Sequence, residues 1–215
     1  MQLDIFSDTI CPWCYIGKRR LERALAARPQ PGLNIRWRAF QLNPGMPAGG
    51  MDRQQYMAAK FGSIERALRL YETVARVGSS EGIEFKFDRI KRTPNTVKSH
   101  RLLFLAAQTQ RQSQLLDLLF AAYFAEGKDL SDGALLLELG LKAGLDPAEA
   151  EAAIEDQSPI GAALNEDFQA RRQGINGVPY FVFNGRFGLS GAQEPEALFH
   201  MFDLAREDEA LQKTG

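Results

Sequence analysis

The chain of 215 residues has only two cysteines, Cys11 and Cys14, with Pro12 and Trp13 between them. They lie in Ser7-Asp8-Thr9-Ile10-Cys11-Pro12-Trp13-Cys14-Tyr15-Ile16-Gly17-Lys18, directly after the short apolar run Leu3, Ile5 and Phe6. Two thiols three positions apart on a helix are about one turn apart. That spacing brings them within bridging range, so the pair can cycle between dithiol and disulfide. Pro12 suits the first helical position, where a backbone N–H would have no partner. Cys11 is then the N-cap and Cys14 the third helical residue. The positive end of the helix dipole and its free N–H groups favour a thiolate at Cys11. Cys11 reads as the nucleophile and Cys14, one turn inward, as the resolving thiol.

Two other uses of a Cys-x-x-Cys pair are weaker. Zinc needs four ligands, and beyond the cysteines the chain offers only His100 and His200, far apart and without paired spacing. The expectation is therefore no metal. An inert structural disulfide over so short a loop constrains the unfolded chain very little. Lys18, Arg19, Arg20 and Arg23 follow on the same segment. Most basic side chains near the N-terminus read as solvated, a minor influence on Cys11 beside the helix end itself.

The elements that must hold the dithiol follow from periodicity. Leu3 to Phe6 is a strand, and a helix runs from the dithiol to about Ala27, with Cys14, Gly17, Leu21, Ala24 and Leu25 on one face. Pro29-Gln30-Pro31-Gly32 ends it. Leu33 to Phe40 alternates as a second strand, and strand–helix–strand of this length implies a parallel pair. Gln41 to Gly50 breaks the pattern. Beyond it helices are expected over Asp52–Val77, Asn95–Arg111, Ser113–Ala125 and Asp132–Ala143, with Ile83 to Phe87 as a brief extended piece. Asp146-Pro147-Ala148-Glu149 opens another helix with an Asp cap, Pro at the first position and Glu placed for a capping box. The pattern returns near Pro159: a helix over Ile160–Gln173, a strand from Tyr180 to Phe183, Asn184-Gly185 as a hairpin turn, and a strand from Arg186 to Leu189. A last helix runs from Glu194 to about Arg206, followed by a polar tail that frays. The result is one α/β unit, residues 1–43 and 158–215, interrupted by a helical insertion at residues 44–157.

Composition agrees with a soluble globular chain, at 45% hydrophobic and 25% charged residues. A net charge of −1 and the lack of a basic tract argue against nucleic acid as a partner. No window resembles a membrane span, and Met1-Gln2-Leu3-Asp4-Ile5 does not resemble a signal peptide. The expected compartment is the cytoplasm, where such a pair is more often catalytic than structural. Monomer and homodimer both fit the sequence.

The element order, with Cys-Pro-Trp-Cys at the first helix and Gly177-Val178-Pro179 before the hairpin, resembles the thioredoxin fold, and more narrowly the DsbA family with its helical insertion. Phe6 to Gly17, Phe40-Gln41-Leu42-Asn43-Pro44, Asn95-Thr96 with His100-Arg101-Leu102, Gly177 to Val182 and Gly191-Ala192-Gln193 resemble its FrnE-like branch. That branch is described as dithiol–disulfide isomerases of polyketide biosynthesis. The resemblance implies disulfide exchange with protein or small-molecule thiols and disulfides, through a mixed disulfide at Cys11 that Cys14 resolves. No bound cofactor is implied beyond the Cys11–Cys14 disulfide itself. It also implies a cis proline at Pro179 beside the dithiol, with the Val178 backbone available to an extended substrate. Pro12 and Trp13 would border the substrate, Trp13 either as an apolar rim or as a packing residue of the helix.

A rival reading lies in the same superfamily. Glutathione-dependent 2-hydroxychromene-2-carboxylate isomerases and kappa-class glutathione transferases share this architecture, but typically carry a serine or similar residue where Cys11 stands. Kappa-class proteins commonly have a Ser-Asp-Arg-like stretch where this chain has Gly191-Ala192-Gln193. Two cysteines favour redox chemistry. The last helix could still receive a carboxylate at its N-terminus, so glutathione as a co-substrate stays open. A third reading, a helical interaction module with an incidental dithiol, predicts that Cys11→Ser changes nothing. Asp8 either helps move a proton near Cys14 or simply occupies the strand-end loop. His100 either packs on its helix or leans over the dithiol, and a Cys–His nucleophile would need contact between them.

Overall fold

The computed structural model describes residues 1–156 and 161–214. The residues at 158–160, where the sequence reading puts the return from the insertion, lie outside that set. Strand β1 (Gln2–Ser7) leads through the dithiol loop into helix α1 (Pro12–Ala27), and β2 (Asn34–Ala39) follows. Near the other end come α8 (Ala162–Arg172), β5 (Tyr180–Phe183), β6 (Phe187–Ser190) and α9 (Pro195–Thr214). These strands form one mixed sheet in the order β2-β1-β5-β6. β1 and β2 run parallel, with Ile5 opposite Trp37, as the strand–helix–strand reading requires. β5 is antiparallel to both β1 and β6. Asn184 and Gly185 turn the hairpin with φ of 49° and 68°, the left-handed pair that Asn-Gly supplies.

Between these halves lie β3 (Met51–Asp52), α2 (Arg53–Phe61), α3 (Ile64–Ser80), β4 (Arg92–Thr93), α4 (Val97–Gln108), α5 (Gln112–Phe120), α6 (Gly133–Lys142) and α7 (Pro147–Glu155). The cap at α7 forms as read: the Glu149 N–H donates to the Asp146 carboxylate at 3.0 Å. The core runs without a break from the sheet into the helices. Leu3, Ile5, Phe181 and Phe183 join Leu102, Leu115, Leu119 and Phe120 in one cluster. Burying each such side chain contributes about 1.5–3 kcal/mol.

Several local readings need correction. The helix expected over Asp52–Val77 is two helices, because Gly62 closes α2 at φ 84° and the Ser63 hydroxyl accepts from the Arg66 N–H to open α3. The extended piece expected over Ile83 to Phe87 pairs with no strand, its Lys86 N–H donating to the Phe124 carbonyl, and it ends one residue early, because Phe87 opens a short 3-10 turn, Phe87–Arg89. The small β3–β4 ribbon was not read at all. The polar tail does not fray after Arg206: α9 continues to Thr214, held where Asp208 meets Arg186 and Glu209 meets the N-terminal ammonium at 2.8 Å. Lys18 and Arg20 are not solvated. Lys18 is 1% exposed and paired with Glu22 and Asp117, and Arg20 is buried against Glu81.

Candidate active site

The site starts where β1 stops. The Cys11 N–H donates to the Asp8 carbonyl at 3.1 Å, turning the chain, and the Cys11 carbonyl accepts from Cys14 and Tyr15 to begin α1. Cys11 is the N-cap and Pro12 the first helical residue, as the sequence requires. Both cysteines are free thiols and both are buried, Cys11 at 3% exposure and Cys14 at 0%. Trp13, between them, is exposed at 37%.

The loop before β5 arrives from the far side of the sheet. The Val178–Pro179 peptide bond is cis, and the Cys11 thiol donates to the Val178 carbonyl at 3.5 Å. Pro179 packs on α1 at Gly17, where a Cβ would stand 3.0 Å from the Pro179 ring and 3.5 Å from Phe181. The glycine thus sets how closely the proline loop approaches the dithiol helix. The Pro179 carbonyl in turn accepts from the Gly191 N–H at 2.8 Å, tying the loop to the segment that leads into α9.

The insertion covers the other side. Thr9 and Ser99 share a hydrogen bond at 2.8 Å between their hydroxyls, so the first turn of α4 rests on the dithiol loop. One turn on, His100 is buried with Nε2 3.3 Å from Asp8 Oδ1. Asp8 is wholly buried, and its Oδ2 accepts from the Leu42 N–H at 2.7 Å. His100 therefore meets Asp8 beside the dithiol. His200 lies exposed on α9, away from this cluster. Tyr56 of α2 is buried and receives a hydrogen bond from Asn43. Burial raises its phenol above the ordinary range, and the nearby charges of Asp8 and Cys11 add to that.

The electrostatics separate the two thiols. Burial pushes the Cys14 thiol well above its ordinary value, and the hydrogen bond and charge of the adjacent Cys11 push it further. The Ser7 hydroxyl and the Asp8 backbone N–H act in the opposite direction, favouring its thiolate. A thiol held protonated within contact of a second thiol at a helix start is suited to wait until a mixed disulfide forms beside it. Among the described residues no group of three or more His, Cys, Asp and Glu is placed to hold a metal ion, and no helix is long and apolar enough to cross a membrane.

Of the residues singled out from sequence, Cys11 meets Val178 and has Cys14 beside it, Pro12 and Trp13 lie between the two cysteines on α1, Pro179 packs on α1 at Gly17, and Asp8 of the dithiol loop meets His100. Sequence reasoning missed Ser7, which carries no local signal, and the spacing role of Gly17, which showed only as a small residue on the buried helix face.

Known proteins share this fold. A probable DsbA oxidoreductase from Streptomyces coelicolor is 34% identical, with a TM-score of 0.87 over 96% of this chain and 90% of that one. The cytosolic disulfide reductase DsbM of Pseudomonas aeruginosa, solved with GSH, is 22% identical with a TM-score of 0.65, covering 100% of both chains. A 2-hydroxychromene-2-carboxylate isomerase is 20% identical with a TM-score of 0.66, over 100% of this chain and 98% of that one. At such identities the last two share the fold. The model of the DSBA-like thioredoxin domain matches residues 2–202, so the chain belongs to the DSBA-like thioredoxin family.

Proposed function

We propose that the chain is a thiol–disulfide oxidoreductase in which Cys11 exchanges with a substrate disulfide or thiol and Cys14 resolves the mixed disulfide. The observation that carries this reading is the pair itself. Cys11 stands at the helix start against Val178, and Cys14 lies in contact behind it with its proton held by burial. In the reducing direction the Cys11 thiolate attacks one substrate sulfur, the substrate S–S bond breaks, and the second substrate sulfur leaves as a thiolate. Cys14 then attacks the Cys11 sulfur, forming the Cys11–Cys14 disulfide and releasing the first substrate sulfur. Oxidation of a substrate dithiol runs the same steps backwards.

The exposed Trp13 and the half-buried Val178 border the reacting sulfur, and an extended peptide lying along them would present its sulfur to Cys11. The solved DsbM, a cytosolic disulfide reductase with GSH, supports glutathione as a co-substrate and the cytosol as the compartment. The motifs shared with the FrnE-like branch support the same chemistry on either a protein or a small-molecule substrate.

Mixed-disulfide trapping tests this directly. The Cys14→Ser protein, incubated with a disulfide-bonded peptide or with oxidised glutathione, should accumulate an adduct at Cys11 that mass spectrometry resolves. The Cys11→Ser protein should accumulate none. The rival reading, a glutathione-dependent isomerase, has the related isomerase fold in its favour. It predicts isomerase activity with glutathione that survives Cys11→Ser.

A further inference from the structure

Among the described residues the buried charged side chains have a partner of opposite sign: Asp8 faces His100, Lys18 meets Asp117, Arg20 meets Glu81 and Asp167 meets Arg171. Arg53, the first residue of α2, is the exception. Its guanidinium donates to Thr93 Oγ1 at 3.1 Å and lies 4.8 Å and 5.5 Å from the ring centroids of Tyr71 and Tyr56. With no carboxylate beside it, its charge is not cancelled locally. Tyr56 and Lys60 follow on the same face of α2 by steps of three and four. They line an open cleft of about 280 Å³ with Asn43, Met46 and Met51, and no acidic residue is in its wall. The Lys60 ammonium rests on the Leu42 carbonyl at 3.4 Å and on Asn43 Oδ1 at 3.1 Å. The Tyr56 oxygen accepts from Asn43 Nδ2 at 3.3 Å, which leaves its own O–H free to donate. The cleft adjoins the dithiol loop. The Cys11 N–H donates to the Asp8 carbonyl, the Asp8 carboxylate accepts from the Leu42 N–H at 2.7 Å, and Asn43 is the next residue. Cys11, Asp8 and Arg53 are all near enough for their charges to act on the Tyr56 phenol.

We propose that this cleft is a carboxylate subsite for the disulfide substrate, in which the Lys60 ammonium and the Tyr56 hydroxyl bind a carboxylate on the arm next to the sulfur that Cys11 attacks. This rests on Cys11 being the attacking thiol. Met46 and Met51 pack on the apolar part of the same arm, and Arg53 is a positioning residue that holds the Tyr56 ring and supplies positive charge behind it. The need is physical. A carboxylate approaching the dithiol is repelled by the Cys11 thiolate and by Asp8, and two cations without carboxylate partners offset that repulsion. Asp8 is already engaged by Leu42 and His100, and the Asp52 carboxylate by the N–H groups of Gln54 and Gln55. The volume suits one short substituent rather than a whole drug-sized ligand. Methionine side chains adapt to apolar groups of different shape, so charge is what the cleft selects.

Two aryl disulfides test this on the reduced full-length chain by stopped flow. In 5,5′-dithiobis(2-nitrobenzoate) each ring carries a carboxylate, whereas 2,2′-dithiodipyridine is neutral. The quantity read is the quotient of the two rate constants for Cys11 attack, anionic over neutral. In Lys60→Gln and in Tyr56→Phe the quotient should fall by about tenfold at low ionic strength. In wild type it should fall with added salt. Lys142→Gln removes the same charge from the exposed face of α6 and should keep the wild-type quotient. Lys60 is exposed, so its variant carries the test if Tyr56→Phe does not fold. An unchanged quotient in Lys60→Gln, or an equal fall in Lys142→Gln, overturns the subsite and leaves the redox function standing, since both disulfides still react. A wild-type protein that reacts with neither disulfide faster than Cys11→Ser does overturns the redox function, and the subsite with it.

Discussion

The Cys11 sulfur and the Val178 carbonyl oxygen stand 3.5 Å apart although 167 positions separate them in the chain. The contact joins the helix start that carries the dithiol to the loop that closes the far side of the sheet. Gly17 governs it, since Pro179 packs where a larger residue would put its Cβ.

Gly17→Ala should therefore disturb the site without touching either sulfur. Its new methyl meets the Pro179 ring at 3.0 Å, and overpacking of this kind costs about 1–3 kcal/mol. Thermal unfolding should register that loss, and the equilibrium constant of the dithiol with glutathione should move as the Val178 loop retreats. An unchanged constant in a folded Gly17→Ala protein would detach the loop from the chemistry.

Reduced wild-type protein should lose stability as pH rises above about 9. The folded state holds the Cys14 proton well above the ordinary value of 9.0, whereas the unfolded chain releases it there. The unfolded state then binds fewer protons, so unfolding becomes easier with rising pH. The contribution is fully present below the unfolded value and is lost on going through the folded one. Urea midpoints from about pH 8 to 10 should fall in wild type, with a contribution near pH 10 from Tyr56, Tyr71 and Tyr123, whose phenols burial also raises above their ordinary value of 10.0. Cys14→Ser keeps the tyrosine contribution and should show a shallower slope, most clearly between about pH 8 and 9.5, and an identical slope in both proteins would remove the assignment.

Much of this was legible in the sequence because it is local. The Cys11 cap, Pro12, the Asp146 cap and the Asn184-Gly185 turn each depend on neighbours within four positions. What was not legible depends on distant partners. Lys18 and Arg20 read as solvated until Asp117 and Glu81 arrive from other helices. The last two turns of α9 look like a fraying tail until Arg186 and the N-terminus meet them. His100 finds Asp8 only because α4 folds back on the dithiol loop. The break at Gly62-Ser63 was readable in principle, a left-handed stop followed by a hydroxyl cap, but the apolar period runs on through it.

Gln112 shows how the β2 edge of the sheet is held. Its carboxamide accepts from the Trp37 N–H at 3.0 Å and donates to the carbonyls of Trp37 and Leu103, both at 2.9 Å, imitating a neighbouring strand. Gln112→Leu would leave these backbone groups without that partner and should cost about 2–3 kcal/mol by urea denaturation. A change within about 0.5 kcal/mol, the range of an ordinary surface substitution, would show that water replaces the carboxamide.

Trp13 should matter to the substrate and hardly to the fold. At 37% exposure, Trp13→Ala is expected to shift stability by no more than about 0.5 kcal/mol. It should slow attack on a peptide disulfide more than attack on a small aryl disulfide, because only the longer substrate covers the indole. Equal slowing of both substrates would assign Trp13 to the packing of α1 instead.

The most direct measurement is the redox equilibrium of the Cys11–Cys14 pair against glutathione buffers of graded potential, followed by thiol alkylation and mass, with Cys11→Ser as control. A reversible two-electron transition is expected, its midpoint distinguishing a reductant from an oxidant at about 30 mV per 1.4 kcal/mol. Disulfide-exchange activity should vanish in the control. A pair that never closes at any potential, or a glutathione-dependent activity undiminished in Cys11→Ser, would contradict the redox function.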